Sequence, residues 1–270
     1  MHPILFTVGF FQLHTYGLML ALGFIVAIVV SSRRAKAADE NPSFISDLAV
    51  WSIISGLIGG RLFYVALNWT EFRGNLLSII SPFQADGTFG IGGLVFLGAL
   101  IAGTLVALVV MYYNGKSILT IGDIVAPGVA FGYGVGRLGC FMSGCCYGKA
   151  CHLPWGLSFP PESAAGYYQA AVHATALHPT QLYMVLGGLI TGALVLLLER
   201  FKRFEGHSFF IFFILLSLDR IIQDTFRYYP PSELHHGYTH NQIILSGVVI
   251  LTGLLFFWKW RRASLPQSHA

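Results

Sequence analysis

Arg61, Arg137 and Arg220 lie inside apolar stretches long enough to be membrane helices, and Arg227 lies just beyond one. A charge in hydrocarbon is costly, so an arginine at membrane depth points to a functional site. Its planar fork grips two phosphate oxygens at once. Several arginines meeting near one membrane face would therefore hold an anionic lipid headgroup. The competing reading is that each pairs with an acid inside the spans, where Asp47, Asp123, Asp219 and Asp224 lie. Arg220 and Asp224, at i, i+4, are spaced for such a brace, whereas Arg137 has no acid within a helical turn.

Arg137 sits in the densest stretch of the chain, Gly132 to Lys149, which reads GYGVGRLGCFMSGCCYGK. Glycines there let backbones and a ligand come close, and we read the stretch as the floor of a pocket for a phosphorylated lipid. Cys140, Cys145, Cys146 and Cys151 are spaced C-x4-C-C-x4-C, with His152 adjoining. That spacing matches no zinc motif, so no metal is expected. On an oxidising face one or two disulfides would clamp the loop, and the other role for Cys145 and Cys146 is as reactive thiols; Cys140 reads as a small buried residue. His14 and Tyr16 open the first span. The tyrosine suits an interfacial anchor as well as a site. His178 precedes Pro179 at the start of the fifth span. It is either a helix-start residue bonded to backbone or a base at the pocket rim.

These residues need helices to carry them. Of the 270 residues 55% are hydrophobic and 10% charged, with a mean hydropathy of +0.67, against roughly 25% charged in soluble domains. The chain reads as one all-α polytopic membrane domain, 1–270. Met1 to Leu13 is a short apolar lead-in. Seven spans follow, at about 14–30, 44–67, 89–112, 119–141, 178–198, 207–226 and 241–257, with a polar, turn-rich stretch from Asn68 to Gly87. The first run has no basic region before it and no cleavage site after it, and is read as a retained helix. Ten of the sixteen lysines and arginines follow spans one, three, five and seven. That bias puts the N-terminus outside, the C-terminus in the cytoplasm and 142–177 on the extracytoplasmic side. Basic residues flank apolar runs and form no stripe, so nucleic acid is not a partner. No internal repeat supports an inverted-repeat transporter.

Several segments resemble the prolipoprotein diacylglyceryl transferases. They are Gly136-Arg137-Leu-Gly139-x-Phe141-x-x-Gly144-x-x-x-Gly148, His14-x-Tyr16-Gly17, Gly60-Arg61, His178-Pro-Thr-Gln-Leu-Tyr183, Asp219-Arg220-Ile-Ile-Gln-Asp224-Thr-Phe-Arg227 and Gln242-Ile. The resemblance runs through nearly the whole chain in order. It implies a multi-pass protein of the bacterial cytoplasmic (inner) membrane, without a cofactor. The implied reaction moves the diacylglyceryl group of phosphatidylglycerol to the lipobox cysteine of a prolipoprotein signal peptide, giving a thioether and glycerol 1-phosphate. By the match, Arg137 and Arg220 bind the headgroup phosphate. Tyr16 and Gly148 shape the pocket, and Arg61, Asp224 and Arg227 support it.

The sequence departs from that pattern in its proton-handling half. The family's third-span histidine, in Phe-His-Gly-Gly, is matched by Phe96-Leu97-Gly98-Ala99. Its asparagine and glutamate beside the arginine are matched by Cys140 and Cys145. Its sixth-span tyrosine is Leu216, and an acidic residue is Met184. The proton then falls to His14 or His178, or the thiol ionises near the arginines. Alternatively the chain moves a lipid-derived group to another thiol acceptor through Cys145 or Cys146, or it binds membrane lipid or senses redox state without turnover.

Overall fold

A computed structural model describes residues 1–9, 11–81 and 93–264. In chain order the first elements are β1 (Ile4–Val8), β2 (Phe11–His14), α1 (Thr15–Ala37), α2 (Pro42–Leu67), α3 (Trp69–Phe72) and α4 (Phe96–Tyr113). Then come α5 (Ile118–Ser143), α6 (Ala164–Ala171), α7 (Thr180–Leu198), α8 (His207–Phe226), β3 (Leu234–His235), β4 (Tyr238–Thr239) and α9 (His240–Ser264). Among the described residues six helices are long and apolar enough to cross a membrane: α1, α2, α4, α5, α7 and α9. α8 has 20 residues, about 30 Å at ~1.5 Å per residue, but its Asp219, Arg220 and Asp224 keep it out of that set.

Three expectations change. The N-terminal lead-in is a two-stranded sheet, β1 with β2, and the first helix opens at Thr15, whose amide donates to Pro3 O at 2.9 Å. The third span starts at Phe96; its expected beginning, 89–92, and the turn residues from Pro82 to Gly87 lie outside the described residues. The segment 142–177 is folded, with α6 and a small apolar core of Phe159, Ala165 and Leu177. Gln169 ties it together, accepting from Phe159 N at 2.9 Å and donating to Ser158 Oγ at 3.1 Å and Thr175 O at 3.0 Å.

The chain forms two compact units. One comprises 4–13 and 32–121. Within it α2 packs on α4, Asn41 caps α2 by accepting from Ser43 N at 2.9 Å, and Lys116 pairs with Glu40 at 2.5 Å.

The other unit comprises 1–3, 14–31 and 122–270. α1 and α5 meet at Gly23 and Gly132, where a Cβ on Gly23 would stand 2.6 Å from Gly132 O; only small residues allow that approach. Asp123 is buried at 1% exposure. It accepts from Gly206 N and Phe209 N, each at 2.9 Å, and pairs with Lys202 Nζ at 2.9 Å. An acid placed inside a span by its sequence thus caps the start of α8, satisfying amides that a helix leaves without partners.

Candidate functional site

The site is built where α5 ends. α5 stops at Ser143, Gly144 adopts φ +68° and Cys145 N donates to Cys140 O at 3.2 Å, a left-handed helix stop. Cys146 is also left-handed, at φ +59°, a strained conformation for a residue with a side chain. It is held there by α7. Thr180 Oγ1 donates to Cys146 O at 2.6 Å and Gln181 Nε2 donates to Cys145 O at 2.8 Å. Both α7 side chains are fully buried.

This double turn gathers three sulfurs. The Sγ atoms of Cys140, Cys145 and Cys146 lie within 4.8 Å of one another. All four cysteines are free thiols, so the expected disulfide clamp is not formed; the turn brings three sulfurs to one point and leaves Cys151 buried elsewhere. Arg137, one turn before Cys140 on α5, places Nη1 3.9 Å from Cys140 Sγ and lays its guanidinium over the Tyr133 ring at 4.7 Å. Among the described residues no carboxylate lies in ion-pair reach of Arg137.

Past the thiols, Gly148 is wedged between two backbones. Gly148 N donates to His178 O at 3.2 Å and Lys149 N donates to Phe226 O at 2.9 Å, while His178 N donates to Lys149 O at 3.0 Å. A Cβ on Gly148 would lie 2.5 Å from His178 O and 2.9 Å from Phe226 O. Gly148 thus serves close approach, setting His178 on one side and Arg227, its bridge partner, on the other. His178 Nδ1 is 3.1 Å from Tyr183 Oη, which also accepts from Trp155 Nε1 at 2.8 Å. Burial, and then the charge of Lys149, push His178 below the usual histidine range. It is therefore neutral at neutral pH, as a proton acceptor must be.

Arg220 has different company. Its Nη1 is 2.5 Å from Asp224 Oδ1, and its Nη2 donates to Tyr229 Oη at 3.1 Å. Tyr229 Oη donates in turn to Asp224 Oδ1 at 2.9 Å, and Thr239 Oγ1 donates to Asp224 Oδ2 at 3.0 Å. Arg227 lies over the Tyr229 ring at 4.9 Å. Tyr16 is half exposed and its backbone packs on Gly139. His14 is exposed at the end of β2. Arg61 belongs to the other unit, where Nε donates to Ile79 O at 2.9 Å and Nη2 to Ser78 O at 2.8 Å. Leu97, at the position of the missing histidine, is half exposed in that same unit. A cavity of about 300 Å³ is lined by Met1, Phe141, Met142, Leu157, Ser158, Phe159 and Pro160, with none of the arginines on its wall.

Sequence reasoning missed Tyr133, Tyr229, Thr239, Thr180 and Gln181. The i, i+4 spacing of Tyr133 and Arg137 was a usable signal. Thr180 and Gln181 stand in the His178–Tyr183 segment, which gives no sign of the carbonyls they hold, and Tyr229 and Thr239 come from a loop and a strand and carry no such mark.

The fold and the site define a class: a helical protein with several membrane-length helices, whose α5 end carries a cation, without a carboxylate partner among the described residues, beside three clustered thiols. The sequence profile of the prolipoprotein diacylglyceryl transferase family matches residues 3–259, and the chain belongs to that family. Relatives named phosphatidylglycerol–prolipoprotein diacylglyceryl transferase are similar over most of their length. The protein of Clostridium tetani is 30% identical, covering 93% of this chain and 95% of its own. That of Gloeobacter violaceus is 32% identical over 98% and 95%, and that of Parasynechococcus marenigrum 30% over 98% and 97%.

Proposed function

We propose that this chain transfers the diacylglyceryl group of phosphatidylglycerol to a prolipoprotein cysteine thiol, forming a thioether and releasing glycerol 1-phosphate. The names of the relatives support the reaction. The observation that carries it here is Arg137, a cation on α5 with no carboxylate partner among the described residues, stacked on Tyr133 beside three thiols. The chemistry asks for such a group, since the departing phosphate gains charge as its bond to carbon breaks and needs a fixed cation to receive it.

In this reading Arg137 contacts the phosphate directly. Arg220 is held by Asp224 and Tyr229 and offers its remaining N–H to the same headgroup, while Arg227 adds charge. Gly148 and Tyr16 shape the pocket, Arg61 supports it through the fold of its own unit, and His178 or His14 receives the thiol proton in place of the missing histidine. The molecule is one polytopic domain of the bacterial cytoplasmic membrane. α8 is the sixth of seven spans, the N-terminus faces outward, and 142–177 is extracytoplasmic; the lysine and arginine bias supports that orientation.

The test is purified protein with phosphatidylglycerol and a lipobox peptide, following lipidated peptide and glycerol phosphate together. Both products are expected in equal amounts, and neither with Arg137→Ala. Tight binding of phosphatidylglycerol with no glycerol phosphate released would refute the transferase reading.

A further inference from the structure

The three clustered thiols have a geometry that neither a disulfide nor a phosphate grip uses. Zinc–thiolate bonds of ~2.3 Å set neighbouring sulfurs ~3.8 Å apart in a tetrahedral site. Here three Sγ atoms already lie within 4.8 Å of one another, so adjustments of the order of an ångström close the set. The cysteines are also held by groups other than themselves. Thr180 and Gln181, both fully buried, fix the carbonyls of Cys146 and Cys145. Cys140 is anchored in the last turn of α5. Three thiolates around a dication carry net negative charge, and Arg137, with Nη1 3.9 Å from Cys140 Sγ, offsets it. An all-sulfur donor set selects soft metals. Three protein ligands leave a fourth position for an exogenous ligand, the pattern of catalytic rather than structural zinc.

We infer that Cys140, Cys145 and Cys146 form a binding site for a zinc-class cation whose open position takes the thiol of the acceptor. The catalytic half of this inference rests on the transferase reading above; the binding half does not. A thiol coordinated to zinc is deprotonated outright, which supplies the nucleophile that Leu97 cannot help to make. The acceptor S–H gives its proton to the histidine of that reading, His178 or His14, or to water. The sulfur electron pair forms the C–S bond to the carbon of the diacylglyceryl group that is joined to the phosphate oxygen. The C–O bond breaks, its pair leaves with glycerol 1-phosphate, and the released proton is taken up by that phosphate or by bulk water. Nothing is oxidised or reduced.

The test uses full-length protein in detergent micelles, reduced, stripped with a chelator and repurified. Zinc is then added and counted by elemental analysis, and cobalt is added as a spectroscopic stand-in. One equivalent of zinc is expected, with a cobalt–thiolate charge-transfer band. Cys146→Ser and Cys145→Ser lose both, while Cys151→Ser keeps both and controls for folding. The cobalt band shifts on adding lipobox peptide and not on adding the peptide with serine for cysteine. No stoichiometric zinc, equal zinc in Cys146→Ser and Cys151→Ser, or a disulfide among the three that blocks zinc until reduced and leaves none bound afterwards, would each overturn the site. Full turnover by protein free of zinc would overturn its catalytic role and leave the transferase reading standing. Zinc bound through the three cysteines with no product formed would support the site while refuting that reading.

Discussion

Arg220 and Asp224 are joined at 2.5 Å across one turn of α8, the aspartate side chain fully buried and the arginine 13% exposed. The same carboxylate accepts from Tyr229 and Thr239, so both of its oxygens are used. Among the described residues Arg137 has no such partner. The two arginines therefore differ in kind: one is half of a buried ion pair, the other a cation with no carboxylate beside it among the described residues.

Removing one member of a buried pair leaves a desolvated charge and costs about 3–5 kcal/mol, whereas replacing both with apolar residues is often neutral. Asp224→Ala should therefore destabilise the protein strongly, and Arg220→Met with Asp224→Leu should recover most of the loss. Thermal denaturation in detergent measures this. If the double variant folds yet makes no lipidated peptide, Arg220 acts on the substrate as well as on the fold. Equal destabilisation by the single and double variants would contradict the pairing.

Gly148→Ala puts a Cβ 2.5 Å from His178 O, against backbone on two sides. Relief requires parting the backbone segments that carry His178 and Phe226, an overpacking cost of about 1–3 kcal/mol. The expected outcome is lower activity in protein that still binds detergent and stays monodisperse, with faster amide exchange at Lys149 and His178. Unchanged exchange would show that the close approach is not what glycine serves there.

How much of this was legible in residues alone follows from which forces act locally. Hydropathy placed the helices, because burial in hydrocarbon is decided segment by segment. The Arg220–Asp224 brace was visible because four residues make one turn. Tyr229 and Thr239 were not, since a loop and a strand bring them back to the same carboxylate. Asp123 read only as an acid inside a span; its partners, Lys202 and the amides of Gly206 and Phe209 at the start of α8, are distant in sequence. The cysteine spacing gave no sign that three sulfurs meet, because it hides two left-handed residues, Gly144 and Cys146, and it is that reversal which converges the sulfurs. α6 was lost in an Ala-rich polar segment that has no long periodic run.

Asp123→Ala should cost about 2 kcal/mol or more, by removing a buried cap and leaving Lys202 without its carboxylate. Its effect should be confined to the α5–α8 contact. Activity per folded molecule should stay near that of the parent, read as turnover normalised to the folded fraction. A selective fall in turnover would instead tie the cap to the site.

His178 lies below the usual histidine range because burial and Lys149 disfavour its cation. The sign follows from that. Its neutral form is favoured in the folded protein, so this contribution to stability is present above ~6.5 and is lost as pH falls through the lowered native value. If His178 accepts the thiol proton, the acid limb of the rate profile lies below pH ~6.5. Lys149→Gln removes the repulsion and should move that limb to higher pH. A limb unmoved by Lys149→Gln and retained in His178→Gln would assign the proton elsewhere.

Arg137→Lys tests the uncompensated cation most sharply. Lysine keeps the charge but loses the fork that takes two oxygens and the plane that stacks on Tyr133. If the arginine receives charge as the phosphate departs, turnover should fall by about 100-fold or more, with little change in stability. Tyr133→Phe keeps the stacking ring and removes a hydroxyl that is buried and unpartnered among the described residues. It should leave turnover within a few-fold of the parent and be neutral or stabilising, because no hydrogen bond is lost. Full activity in Arg137→Lys would reduce Arg137 to a point charge, and collapse of Tyr133→Phe would show that the hydroxyl meets the substrate.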